Sequence, residues 1–276
     1  MVAALPAAAN GQGLTFMRRV LPAVTVAAAL ALAAPGEATA ANGQGLTFHA
    51  SFGAGARLGA PTAIVFSGDI ADRRQPVTEI RLLTPPGVDL ATSGLGASSC
   101  TRPASDILEV MVPVGGGPPC PANSLMGLGS AVASLDMEPR IDGTATLDVY
   151  AGGSVADKPG LVVVANTYHP VRFHLFYQGY LYIPPPGFGI GVAIMLPQSP
   201  SPPFGATLML SRVKAAIGAP SITYTKRRRG RRVAYHPRGV TLPERCPRHG
   251  FRFRLIARFQ DGTRRQADAI APCPHR

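Results

Sequence analysis

The sequence predicts an all-β fold, a disulfide-stapled β-sandwich with an irregular cysteine-bearing loop that has room for a short helix. Three observations lead there. Short alternating or apolar runs recur along the chain, separated by Gly, Pro and Asp clusters, which is the pattern of sandwiches. Each run is too short to bury a core alone, so sheet must pack on sheet. Hydrophobic residues make up 46% of the 276-residue chain, which argues against global disorder, and four cysteines are available to staple loops. One continuous sandwich and two Ig-like halves meeting near residues 150–158 both fit this pattern.

The first recognisable segment is Met17–Ala40. Arg18 and Arg19 give a positive start, Val20 to Ala34 a mostly apolar run, and Ala38-Thr39-Ala40 a small-residue site of the kind signal peptidase cleaves. The run is shorter than the roughly 20 apolar residues a spanning helix needs. It therefore predicts a signal peptide at 17–40, cleavage near Ala40, a secreted mature chain and oxidised cysteines. Residues 1–16 precede this signal, and Ala8–Phe16 (AANGQGLTF) recurs letter for letter at Ala40–Phe48. The prefix is expected to have no role in the fold.

From Gln44 the pattern turns β-like. Leu46–Phe52, Ala60–Ser67 and Val77–Leu83 are three short strands, the third with Val77, Ile80 and Leu82 imperfectly spaced for one face. Asp89–Gly127 is the least regular part. It holds Cys100 and Cys120, a break at Gly115–Gly117, and a stretch, Ser105–Val112, that suits a helix or a strand equally. Leu125–Leu135 is a strand of small residues, with Gly127 and Gly129 suited to a bulge or a close sheet contact. Asp142-Gly143 marks a tight turn. Thr144–Tyr150 alternates, with Ala145, Leu147 and Val149 on one face. Leu161–Ala165 is continuously apolar, as in a strand buried on both faces. Val171–Ile183 is the most aromatic stretch, with Gln178-Gly179 as its turn or bulge. Gly187–Leu196 and Ala206–Val213 add two strands. Ser221–Thr225 and Val233–Tyr235 flank the run KRRRGRR. Phe251–Phe259 then alternates apolar residues with arginines before a turn at Asp261-Gly262.

Four cysteines allow three pairings. Proximity favours Cys100–Cys120 and Cys246–Cys273, each closing a local loop worth about 3 kcal/mol in the chain-entropy model. There is no CxxC and no finger spacing, so neither a redox pair nor a metal site is expected. Cys120-Pro121, Ser124, Gly127, Gly129 and Ala131 form C-P-x-x-S-x-x-G-x-G-x-A, and the chain closes with Cys246-Pro247, Gly250-Phe251, Asp261-Gly262 and Pro272-Cys273-Pro274. In these motifs it resembles exported β-rich proteins of high-GC actinobacteria. The resemblance implies an exported β-rich fold and brings no activity, cofactor or catalytic residue.

Charge is unevenly placed. The chain carries +12 overall, yet residues 211–276 alone balance at +14 and residues 41–210 at −3. The sharpest feature is Lys226, Arg227, Arg228, Arg229, Arg231 and Arg232. Near an anionic bilayer each cation is worth about 1 kcal/mol; in the bland alternative they form a solvated tip that keeps an edge from pairing. For an exported chain such a surface suggests anionic envelope polymer or lipid as partner, not specific nucleic acid. Phe173, Phe176, Tyr177, Tyr180 and Tyr182 suit a sugar-stacking strand, although aromatics at strand spacing usually serve a core and the chain has no Trp. His169 and His174, five apart, face opposite ways on a strand. No HExxH, GxSxG or P-loop occurs.

Three functions are compatible with these features. The leading one is a non-enzymatic exported protein that binds anionic envelope polymer or lipid through residues 226–232. The second is a carbohydrate-binding module using Tyr177, Tyr180 and Tyr182. The third is an extracellular hydrolase whose site is assembled from loops, for which no residue stands out.

Overall fold

Apolar and β-branched residues at period two form strands almost throughout. In chain order these are β1 (Ala40–Ala41), β2 (Leu46–Phe52), β3 (Pro61–Thr62), β4 (Ile64–Ile70), β5 (Val77–Leu83), β6 (Asp89–Leu90), β7 (Leu108–Val110), β8 (Leu125–Asp136), β9 (Ile141–Val155), β10 (Lys158–Thr167), β11 (Phe173–Tyr182), β12 (Gly191–Met195), β13 (Thr207–Ile217), β14 (Tyr224–Arg228), β15 (Arg231–Tyr235), β16 (Val240–Thr241), β17 (Phe251–Phe259) and β18 (Arg264–Ala271). The computed structural model describes residues 40–41, 45–71, 75–90, 98–101, 108–110, 120–136, 138–167, 173–196, 207–218, 222–235 and 239–274. The prefix 1–16 and the signal segment up to residue 39, Ala38 included, lie outside them. Among the described residues the one helical feature is a 3-10 turn at Ala122–Ser124, directly after Cys120, and no helix is long and apolar enough to cross a membrane. Within the stretch that suited helix or strand, Leu108–Val110 is a strand paired to β11.

The main sheet is antiparallel throughout. Its order is β1-β18-β17-β5-β12-β11-β10-β9-β8-β13-β4-β2, with β7 also on β11. β2, at one end of this path, runs alongside β18 and close to β1 at the other. The sheet therefore wraps on itself, and its first long strand meets its last. Residues 150–158, the candidate boundary between halves, are the end of β9, the hairpin turn at Ala156-Asp157 and the start of β10, inside the paired sheet.

Bulges explain the irregular spacings. In β5, Val77 pairs Phe259 while Glu79 pairs Arg258, so one extra residue brings both Val77 and Ile80 to the inner face. Similar shifts occur in β8 between Leu125 and Gly127 and in β13 between Leu210 and Arg212. One expected turn is strand interior instead, and at Gln178-Gly179, open to a turn or to a bulge in one long strand, the strand runs on without a register shift. Asp142-Gly143 lies within β9, paired to Ser134 and Ala133, because the chain reverses earlier, before Ile141. Gln178-Gly179 lies within β11, where Gly179 lets the strand sit close to β12: a Cβ there would be 2.5 Å from Ile194 Cδ1.

Both expected cysteine pairs form. Cys100 and Cys120, with Cα atoms 5.1 Å apart, lie on the outer face of the sheet against Tyr150, Val162, Val164 and Phe176. That cover buries the outer side of β10 and accounts for its unbroken apolar run. Cys246 and Cys273, 6.0 Å apart at Cα, bracket the β17–β18 hairpin.

The inside of the wrap has two parts. Where β2, β4, β5, β17 and β18 face one another, large side chains fill it: Phe48, Phe251 and Phe253 are fully buried, and Phe52 meets Phe251 edge-on at 5.0 Å. The small sheet β3-β16-β6 adds Val240 to this core, and Leu242, just past β16, joins it. The other part is built differently.

Candidate functional site

Strands β5, β12, β11, β10, β9, β8 and β13 line a partly open cavity of about 180 Å³. Its cause lies in strand number and residue size. Eight strands enclose an interior that side chains just fill, and width grows with strand number. Here twelve strands follow one path. The filled half uses phenylalanines, whereas the inner positions of β8, β9 and β10 carry Ala131, Ala133, Gly143, Ala145 and Ala165. Backbone ladders fix strand spacing, so small residues leave room that the sheet cannot close by collapsing.

The lining has no charged side chain among the described residues, and its polar groups are Thr144, Thr167 and Tyr177. The threonines belong to the start of β9 and the end of β10. Tyr177 stands in the middle of β11, paired to Val163, and is 6% exposed. Its hydroxyl has no hydrogen-bond partner among the described residues, and burial raises its pKa above the ordinary phenol value. It therefore stays protonated, a neutral donor inside an apolar chamber.

Side chains that face such a space forgo packing contacts that a filled core would give them. Protein interiors normally pack to crystal-like density, so a cavity of this size is a feature to explain.

The basic run forms a separate two-stranded ribbon, β14–β15. Its tip is Arg229-Gly230, both at positive φ (49° and 79°), as a two-residue hairpin turn requires. The cations thus lie along the two strands, except Arg229 at the tip. Arg228, Arg229, Arg231 and Arg232 are exposed, and the register places Arg228 opposite Arg231; the side chains of Lys226 and Arg227 lie outside the described set. Asn123, in the turn after Cys120, holds the ribbon's base: its Nδ2 donates to Thr225 O at 2.9 Å and Thr225 N donates to its Oδ1 at 3.2 Å.

The tyrosines do not share a face. Tyr177 points inward, whereas Tyr180 and Tyr182 lie on the outer face with rings 6.0 Å apart and inclined at 58°. Each outer ring already carries a cation: Lys158 Nζ lies 4.6 Å from the Tyr180 centroid and Arg81 Cζ 5.4 Å from that of Tyr182. Burial, the larger effect, outweighs Arg81 and raises the Tyr182 pKa. Phe176 packs beneath the first disulfide. His169 and the side chains of His174 and Phe173 lie outside the described set.

No family model, curated protein or solved structure matches this chain. The residues that line the cavity went unrecognised in the sequence. Their signal was there: alanine or glycine at alternate positions of two successive strands, Ala131 and Ala133 then Gly143 and Ala145, with a lone tyrosine hydroxyl on the same side.

Proposed function

We propose that this protein binds a small apolar molecule inside its wrapped sheet, as an exported carrier or sequestering protein. One observation supports it above all: a cavity of about 180 Å³ lined almost wholly by aliphatic side chains, with no charged one among the described residues. Cavities of comparable size and lining admit benzene-sized guests. The test is titration of the full chain with the neutral fluorophore N-phenyl-1-naphthylamine. Saturable 1:1 enhancement is expected, and Ala145→Phe, which fills the chamber, should abolish it. Enhancement that never saturates, or that survives Ala145→Phe in a folded variant, refutes the function.

A second role, attachment to anionic envelope polymer or lipid, is favoured by the ribbon. Like charges placed directly opposite across two strands repel, so Arg228 and Arg231 gain most from a shared anionic partner. Sedimentation with phosphatidylglycerol vesicles, and separately retention on an acidic polysaccharide, should both fall with salt. Replacing all six cations at 226–232 by Gln should remove the binding; unchanged retention rejects this role.

A further inference from the structure

The polar content of the chamber narrows what it takes. Tyr177 is more than nine-tenths buried, lines the cavity, and carries a hydroxyl with no hydrogen-bond partner among the described residues. A wall that only had to be apolar could use phenylalanine, which fills the same volume without a hydroxyl to be satisfied. Among the described residues no Lys, Arg or His lines the space. A carboxylate, phosphate or ammonium would enter without a counter-ion, which an apolar interior strongly disfavours.

We propose that Tyr177 selects uncharged apolar ligands that carry one acceptor oxygen, a ketone, ester or ether, by donating its hydroxyl hydrogen to that oxygen inside the chamber; this selectivity rests on the apolar-ligand function above. The body of the ligand lies against the aliphatic walls formed by Val149, Val163 and Ile194, and its oxygen meets the mid-strand hydroxyl. Because the raised phenol pKa keeps the hydroxyl protonated, selectivity is flat across neutral pH. Free fatty acids, as anions, bind worse than their methyl esters.

The test compares ethylbenzene with acetophenone, which differ by exchange of a CH₂ for a carbonyl, as competitors of N-phenyl-1-naphthylamine on the full chain. In Tyr177→Phe, acetophenone affinity should fall roughly fivefold, the scale of one net hydrogen bond, while ethylbenzene stays within about twofold. The ligand-free melting temperature of Tyr177→Phe should match or exceed the parent's, since no protein hydrogen bond is lost. Equal losses for both competitors, no loss for either, or a destabilised ligand-free variant overturns the assignment to Tyr177 and leaves the carrier function standing. Failure of the parent chain to bind either competitor or the fluorophore overturns both.

Discussion

Leu255 on β17 reaches across the interior to Gly68 on β4, where a Cβ would stand 2.5 Å from Leu255 Cδ2. Bare backbone on one wall thus sets how closely the walls approach in the filled half. Gly68→Ala should cost about 1–3 kcal/mol, as overpacking does, read as a lower urea midpoint at unchanged slope. A loss below about 0.5 kcal/mol would show that the walls part freely there.

The two halves of the interior should answer the same substitution with opposite sign. Ala165 borders the cavity, whereas Ala269 is fully buried among the phenylalanine core. Ala165→Leu should raise ligand-free stability by about 0.5–2 kcal/mol, as cavity filling does. Ala269→Leu should lower it by about 1–3 kcal/mol. Chemical denaturation of both variants checks this, and destabilisation by both would mean the cavity walls are already tight.

The first disulfide holds more than its own loop. Cys100→Ala with Cys120→Ala should cost about 3 kcal/mol. Because Asn123 follows Cys120 and clasps Thr225, the amide of Thr225 should also exchange faster than global unfolding accounts for. The pair Cys246→Ala and Cys273→Ala should cost a similar amount yet leave Thr225 tracking global stability. Identical Thr225 exchange in the two variants would deny the link.

Asp268 supplies an acid-sensitive tie on the outer face. Arg254 donates to it (Nη2 to Oδ2, 2.8 Å), as does Arg252 (Nε to Oδ2, 3.0 Å), and the Arg254 hydrogen bond, against a smaller effect of burial, holds its carboxyl below the usual carboxylate value. A carboxyl pKa that is lower folded than unfolded adds stability above the unfolded value of about 3.9, and that stability is lost as pH falls through the folded value. Asp268→Asn should therefore cost about 1–2 kcal/mol at pH 7. The difference from the parent should shrink steadily below pH 4; a constant difference from pH 7 to pH 3 would count against the tie.

Local chemistry was legible in the sequence, and closure was not. Phe251–Phe259 and Val77–Leu83 have the strand bounds their patterns predict, and the cysteines pair by proximity. Asp142-Gly143 misled because a turn signal competes with pairing: β8 runs long enough to take both residues into its ladder. The all-apolar stretch in β10 signalled double burial, but not that a disulfide supplied the outer cover. The cavity depends on which strands become neighbours around the whole wrap, such as β12 between β5 and β11, and that information is spread over more than a hundred residues. The opposite facing of Tyr177 and Tyr180 is legible in their spacing, since three residues along a strand reverse the face.

The meeting of β2 with β18 joins the earliest long strand of the chain to the latest. Ala271 must leave the ribosome before that seam can form, so the sheet stays unclosed while β2 to β17 are being made. Contacts of such sequence separation also make for slow folding, on the scale of milliseconds to seconds. A nascent chain of this topology keeps its seam open until the β17–β18 hairpin emerges.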